Sequence, residues 1–202
     1  MGFRFKRYVG CATVLLGVNF AAPASSSQDN TTITILVIDS ARVSPPVLGQ
    51  SEVEAARIFR AAGIETAWVN CPAGSESVAD LCRVVPGANQ FVLHIVPTGK
   101  TSTDSVFGVS FLGEDGSGKY SNVFYERVAE AHHEWGANLA ALLGTVAAHE
   151  LGHLLLGSHA HSYIGIMAPV WEGESLRQIA MGGLHFTQEQ SSLMRTRLGR
   201  AN

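Results

Sequence analysis

Two histidines and a glutamate within five residues, His149-Glu150-Leu151-Gly152-His153, are the residues of this chain best placed to do chemistry. Side chains four apart stack on one face of a helix, so His149 and His153 can hold one Zn²⁺ from the same side, with Glu150 beside the water such an ion activates. That chemistry is hydrolysis: the ion brings the water's pKa down to about 7 and polarises a carbonyl, while the carboxylate takes the proton. A His pair at this spacing also arises by chance on helices, where it merely bonds to backbone or water. The flanks argue against chance. Leu139 to Ala148 is an apolar, helix-forming run, and Leu154-Leu155-Leu156 follows before Gly157. Such a helix is mostly buried, and burying two imidazoles and a carboxylate in it is costly unless a metal compensates.

A third ligand has two candidates. Gly157 suits the left-handed position that ends a helix and lets the chain turn back, and His159 and His161 both lie just beyond it. His149, His153 and His159 reproduce the outer histidines of HExxHxxGxxH, the metzincin signature, but the glycine is one residue late, with Leu156 in its place. If the helix runs one residue longer, the returning loop delivers His161 instead. Gly165-Ile166-Met167-Ala168-Pro169 resembles the Met-turn of metzincins, which implies that Met167 packs beneath the ligand imidazoles without binding the ion. His159 stands eight residues before Met167, as in matrixin-like enzymes, and His161 stands six before it.

The longer run HELGHLLLGSHAHSYIGIM, with Trp171 and Gly183-Leu184-His185-Phe186-Thr187, resembles a group of largely uncharacterised secreted bacterial proteins with a matrixin-like core. The likeness extends from about Thr32 onward and implies a zinc-hydrolase core rather than a particular substrate. In that group's pattern the histidine followed by serine corresponds to His161-Ser162, so the resemblance implies His161 as third ligand, with His159 a near-equal alternative. Tyr163, between the ligands and the Met-turn, is placed to line the cleft or to stabilise an oxyanion. A gluzincin-type site would use Glu172 or Glu174 instead.

These residues need a scaffold. Thr32 to Ile38 is β-branched and reads as a strand. Ser51 to Ala62 reads as a helix, opened by a capping box from Ser51 to Glu54 and closed by Gly63. Ile64 to Val69, Phe91 to Val96, Val106 to Leu112 and Tyr120 to Phe124 read as further strands, followed by a short helix from Glu126 to Trp135. Thr187 caps a final helix to about Leu198, with Gln190 at the capping-box position and Leu193, Met194 and Leu198 as its apolar stripe. This order matches matrixin-like catalytic domains. The expected fold class is therefore α+β, a zincin with a mixed, mainly parallel twisted sheet of about five strands, an active-site helix, a Met-turn and a C-terminal helix.

The chain's start points to export. Arg4, Lys6 and Arg7 precede an apolar stretch from Tyr8 to Phe20, and Ala22-Pro23-Ala24 offers a cleavage site, so residues 1–24 read as a Sec signal peptide and 25–202 as one catalytic domain. The apolar stretch is too short for a stable membrane anchor, and Cys11 is poorly placed for lipidation. Removing the leader takes three of the 14 Lys and Arg and none of the 17 Asp and Glu, moving the formal charge from −3 to −6. That disfavours nucleic acid as a partner. Cys71 and Cys82 remain, an even pair in an oxidising secreted or periplasmic setting, and are expected to form a disulfide.

Other patterns have plainer readings. Gly113 to Lys119 meets most of a phosphate-loop pattern, but Tyr120 replaces the required Ser/Thr and a strand follows. The same loop offers Asp115 and carbonyls to a Ca²⁺, as loops of matrixin-like enzymes do, beside its reading as an acidic glycine turn. His132-His133-Glu134 reads as a solvated helix end, and His94 as a satisfied strand residue. The expected function is that of a secreted zinc metallopeptidase acting on peptides or proteins, with Glu150 as general base. The alternative is a secreted zinc-containing binding domain without hydrolysis. A peptide library assayed with chelator and restored Zn²⁺ separates the two.

Overall fold

The computed structural model describes residues 31–71, 82, 85–98 and 106–200. The expected leader, with Cys11, lies outside the described residues, as does the segment 72–81 between Cys71 and Cys82. The β-branched run forms β1 (Thr31–Asp39), whose alternate side chains Ile33, Ile35 and Val37 are at most 1% exposed. After it come α1 (Pro45–Ala61), β2 (Ile64–Asn70), β3 (Gln90–Val96), β4 (Gly108–Phe111) and β5 (Tyr120–Phe124). Four helices follow: α2 (Tyr125–Trp135), α3 (Leu139–Leu156), α4 (Glu174–Ala180) and α5 (Gln188–Arg200). The sheet order is β2-β1-β3-β5-β4, parallel throughout except for β4, which runs antiparallel to β5 at one edge. This is the expected α+β architecture with five mainly parallel strands.

Three local expectations are corrected. Helix α1 begins at Pro45, six residues before Ser51, because prolines at its first positions supply the helical φ without losing a hydrogen bond. Ser51 is therefore interior, and its hydroxyl donates to the Leu48 carbonyl at 2.7 Å rather than capping. Leu193 is 45% exposed, so the apolar stripe of α5 consists of Met194 and Leu198. Helix α4 lies in a segment with no clear helical pattern. The Thr187/Gln190 capping box does form, reciprocally: Gln190 N donates to Thr187 Oγ1 at 3.2 Å, and Thr187 N to Gln190 Oε1 at 2.9 Å. Cys71, just past β2, and Cys82 are joined by a disulfide.

Helix α3 is the centre of the molecule. Asn138 caps its start by accepting from Ala141 N at 3.0 Å, and fourteen of its 18 residues are buried. By length and apolarity alone it would suit a membrane span, yet 78% of it is enclosed by the fold, so its apolar faces are core. It crosses α1 at Gly144, where a Cβ would lie 2.4 Å from the Ser51 carbonyl oxygen. Gly144→Ala is accordingly expected to cost about 1–3 kcal/mol despite the better helix propensity of alanine, because the obstacle is backbone. A lowered urea midpoint with an unchanged m-value is the measurement.

Candidate active site

His149 and His153 project from one face of α3, one turn apart, with their Nε2 atoms 3.1 Å from each other. The Nδ1 of His149 lies 2.7 Å from the Ile166 carbonyl, which can only accept, so Nδ1 carries the proton and Nε2 its lone pair. Trp171 Nε1–H donates to the same carbonyl at 3.2 Å. His161 completes the group: one donor atom from each of the three imidazoles lies within 4.8 Å of the others. Burial, with His161 nearby, pulls the His149 pKa down to about 4. Burial and the neighbouring His149 and His161 pull His153 down to about 3. Both rings are thus neutral at physiological pH, the ligating form of imidazole. Three imidazoles whose donor atoms group this closely, one with its tautomer fixed from behind, are a donor set that suits zinc and leaves a position open.

The loop that brings His161 round is built from turns. Gly157 has φ +77°, and a Cβ there would lie 2.4 Å from the Arg197 guanidinium and 2.8 Å from the Gly116 carbonyl oxygen. His159 follows with φ +63°, itself an uncommon conformation for a side-chain-bearing residue, and is exposed. His159, the alternative third ligand, therefore serves as a turn residue and lies outside the trio. Gln190, beyond its capping role, donates from Nε2 to Ser162 Oγ at 3.0 Å and to the Ala160 carbonyl at 3.3 Å, bracketing His161. Met167 is fully buried beneath α3 at Gly152, where a Cβ would come within 2.8 Å of its sulfur and of the Phe186 ring.

Glu150 points to the sheet side. It is 5% exposed, and burial raises its pKa to about 7, against a Ser110 hydrogen bond that lowers it. Ser110 Oγ, on β4, lies 2.7 Å from Glu150 Oε2 and 2.7 Å from the Glu150 carbonyl, serving one of them at a time. Gly108, two residues earlier on the same strand face, makes room for the carboxylate: a Cβ there would lie 2.7 Å from Glu150 Cδ. Neither residue stood out in the sequence. The available signal was their i, i+2 spacing on a predicted strand, which ordinary strands share. A cavity of about 650 Å³ opens beside the imidazoles, lined by His149, Glu150, His153 and His161 and walled by Phe107, Trp135 and Trp171.

The other candidate residues lie elsewhere. Tyr163 is fully exposed and does not line the cavity, because the Ser162 hydroxyl bonds to the Ile164 carbonyl at 2.8 Å in a turn that leaves the phenol outside. Glu172 and Glu174 are exposed, and Glu174 pairs with Arg177 at 2.6 Å. Asp115 accepts from the backbone and hydroxyl of Ser117, which lowers its pKa and closes an Asx-type turn. Lys119 stacks over the Phe91 ring at 4.5 Å. His132 Nδ1 bonds to the Ala137 carbonyl, and His94 Nε2 to Ser40 Oγ at 2.7 Å.

Comparison with solved structures bears on this arrangement. A zinc-dependent peptidase from Methanocorpusculum labreanum superposes with a TM-score of 0.52 and 15% identity, covering 79% of this chain and 99% of its own. Archaemetzincin from Methanopyrus kandleri does so with a TM-score of 0.53 and 18% identity, covering 87% and 99%. The fold is shared with zinc-dependent peptidases. At these identities the likeness is one of fold. No protein-family model matches the chain, and no curated protein does. Within this zinc-peptidase fold, the chain has three histidines so grouped that they can hold a metal.

Proposed function

We propose that this protein is an exported zinc metallopeptidase of metzincin type, in which His149, His153 and His161 hold the ion and Glu150 is the general base. The observation that carries the reading is the placement of a buried carboxylate, fixed by Ser110, on the same helix as two of three grouped imidazoles, all lining a cavity of about 650 Å³. A bound zinc ion would supply a Lewis acid for the scissile carbonyl and an acidified water.

The chain's own groups do the rest. Glu150 takes the proton of the attacking water as its oxygen bonds to the carbonyl carbon, and delivers it to the leaving nitrogen as the C–N bond breaks. Ser110 holds Oε2 so that Oε1 is the oxygen presented to water. The Ile166 carbonyl fixes the His149 tautomer, and Met167 supports the helix from below. Export is supported by the disulfide and by the leader-like pattern of residues 1–24.

Hydrolysis of a diverse peptide library, lost with chelator and restored by zinc, tests the proposal. Stoichiometric zinc without any cleavage would favour the binding-domain reading instead. Ser110→Ala is expected to lower kcat about tenfold with KM and zinc content unchanged, since a hydrogen bond to a charged group contributes about 1.5–3 kcal/mol and water can partly replace it. An equal loss in KM would remove Ser110 from this role.

A further inference from the structure

We propose that the cavity selects peptide side chains combining an apolar stem with a cationic head, lysine or arginine, next to the scissile bond, and that Glu134 reads the head. The proposal rests on the peptidase reading for its context and on the shape and charge of the cavity for its content.

The cavity has a direction. His149 meets the edge of Trp171 at 5.4 Å, Trp171 stacks on Phe107 at 6.3 Å with an interplanar angle of 13°, and Phe107 meets Trp135 edge-on at 5.5 Å. These rings form a continuous wall from the imidazole group to the end of α2. Glu134 precedes Trp135 in the chain and Glu130 sits one turn earlier, and both carboxylate side chains line the cavity. Arg127 also lines the cavity, but its guanidinium is held by Glu130 at 3.1 Å. Glu134 makes no ion pair among the described residues, so of the charged groups that α2 contributes to the cavity lining, its carboxylate is the one placed to meet a cation.

An aromatic wall accommodates a methylene stem and also attracts a cation through the ring quadrupole. An exposed carboxylate adds modest attraction for a positive head and repels a negative one. A purely apolar side chain gains from the wall alone. The chain's formal charge of −3 favours approach of basic peptides in the same sense.

Two probes of matched shape test this on the zinc-loaded full chain: benzylamine, a cation at neutral pH, and benzyl alcohol, which is neutral. Trp135 and Trp171 line the cavity, so tryptophan fluorescence reports occupancy. Benzylamine is expected to bind at least about fivefold more tightly at low salt, and Glu134→Gln to cut that preference to about twofold or less, the share left to the aromatic wall, while leaving benzyl alcohol affinity unchanged. Equal affinities, or a preference undiminished in Glu134→Gln, would overturn the proposal; an amine ligating the metal would give the latter result. In a second arm, the peptide library is expected to show Lys or Arg beside the cleaved bond, shifting toward Leu and Phe in Glu134→Gln. Cleavage beside Leu or Phe in both proteins overturns the specificity and leaves the peptidase reading standing. No cleavage at all, with the amine preference intact, overturns the peptidase reading and supports the cation-selective cavity.

Discussion

Glu150→Gln protein is expected to bind zinc in the same one-to-one ratio as the wild type and to hydrolyse peptides about 10²–10⁴-fold more slowly. Glutamine preserves the shape that Gly108 and Ser110 surround but cannot accept and pass on a proton. Turnover at the wild-type rate would exclude Glu150 from the chemistry, whereas loss of zinc would mean that its role is structural. The same variant has a second signature in chelated protein. The carboxyl titrates near 7 in the fold against an ordinary value of 4.5, so the folded form binds more protons than the unfolded one between those values. Its contribution to stability is complete below pH 4.5 and is lost as the pH rises through 7, a loss on the order of 3 kcal/mol. Glutamine has no such loss. The unfolding midpoint of Glu150→Gln should therefore gain on the wild type as pH climbs from 4.5 to 7. His149 and His153 act in the opposite sense, stabilising above pH 6.5 and withdrawing that stability as pH falls toward 4 and 3, but equally in both proteins. The difference between the two curves isolates Glu150.

A comparable separation is expected between the two histidines of the return loop. His161→Ala should weaken zinc binding by more than the 10–100-fold that loss of a supporting group typically costs, with activity falling in step. His159→Ala should leave zinc stoichiometry intact, because His159 is a solvent-facing turn residue. Its positive φ makes His159→Gly the matched control, neutral or slightly stabilising. Zinc retained by His161→Ala and lost by His159→Ala would reverse the assignment. Competition with a chromophoric chelator reads both variants directly.

The face of α3 that carries His149 and His153 was legible because helical periodicity places residues four apart together whatever the tertiary context. The choice between His159 and His161 was not, since it depends on where the helix stops and on the sign of φ at two successive turns. Strand periodicity located all five strands to within two residues, yet gave no hint that Gly108 and Ser110 meet Glu150 forty residues on, because that contact follows from the docking of an edge strand against α3. The capping-box pattern at Ser51 points to a helix start there, while Pro45 and Pro46 provide an earlier one for α1. The cap at Thr187 was legible as local chemistry, but the second task of Gln190, holding the loop around His161, required the fold.

That second task has a practical corollary. Helix α5 touches the loop that carries His161 through Gln190 and the end of α3 through Arg197, whose guanidinium donates to the Leu155 carbonyl at 3.4 Å. Fraying or trimming of the C-terminal residues should thus surface first as faster leakage of the ion, well before the β-sheet loosens, and a fusion partner attached there can alter metal occupancy without touching a single ligand.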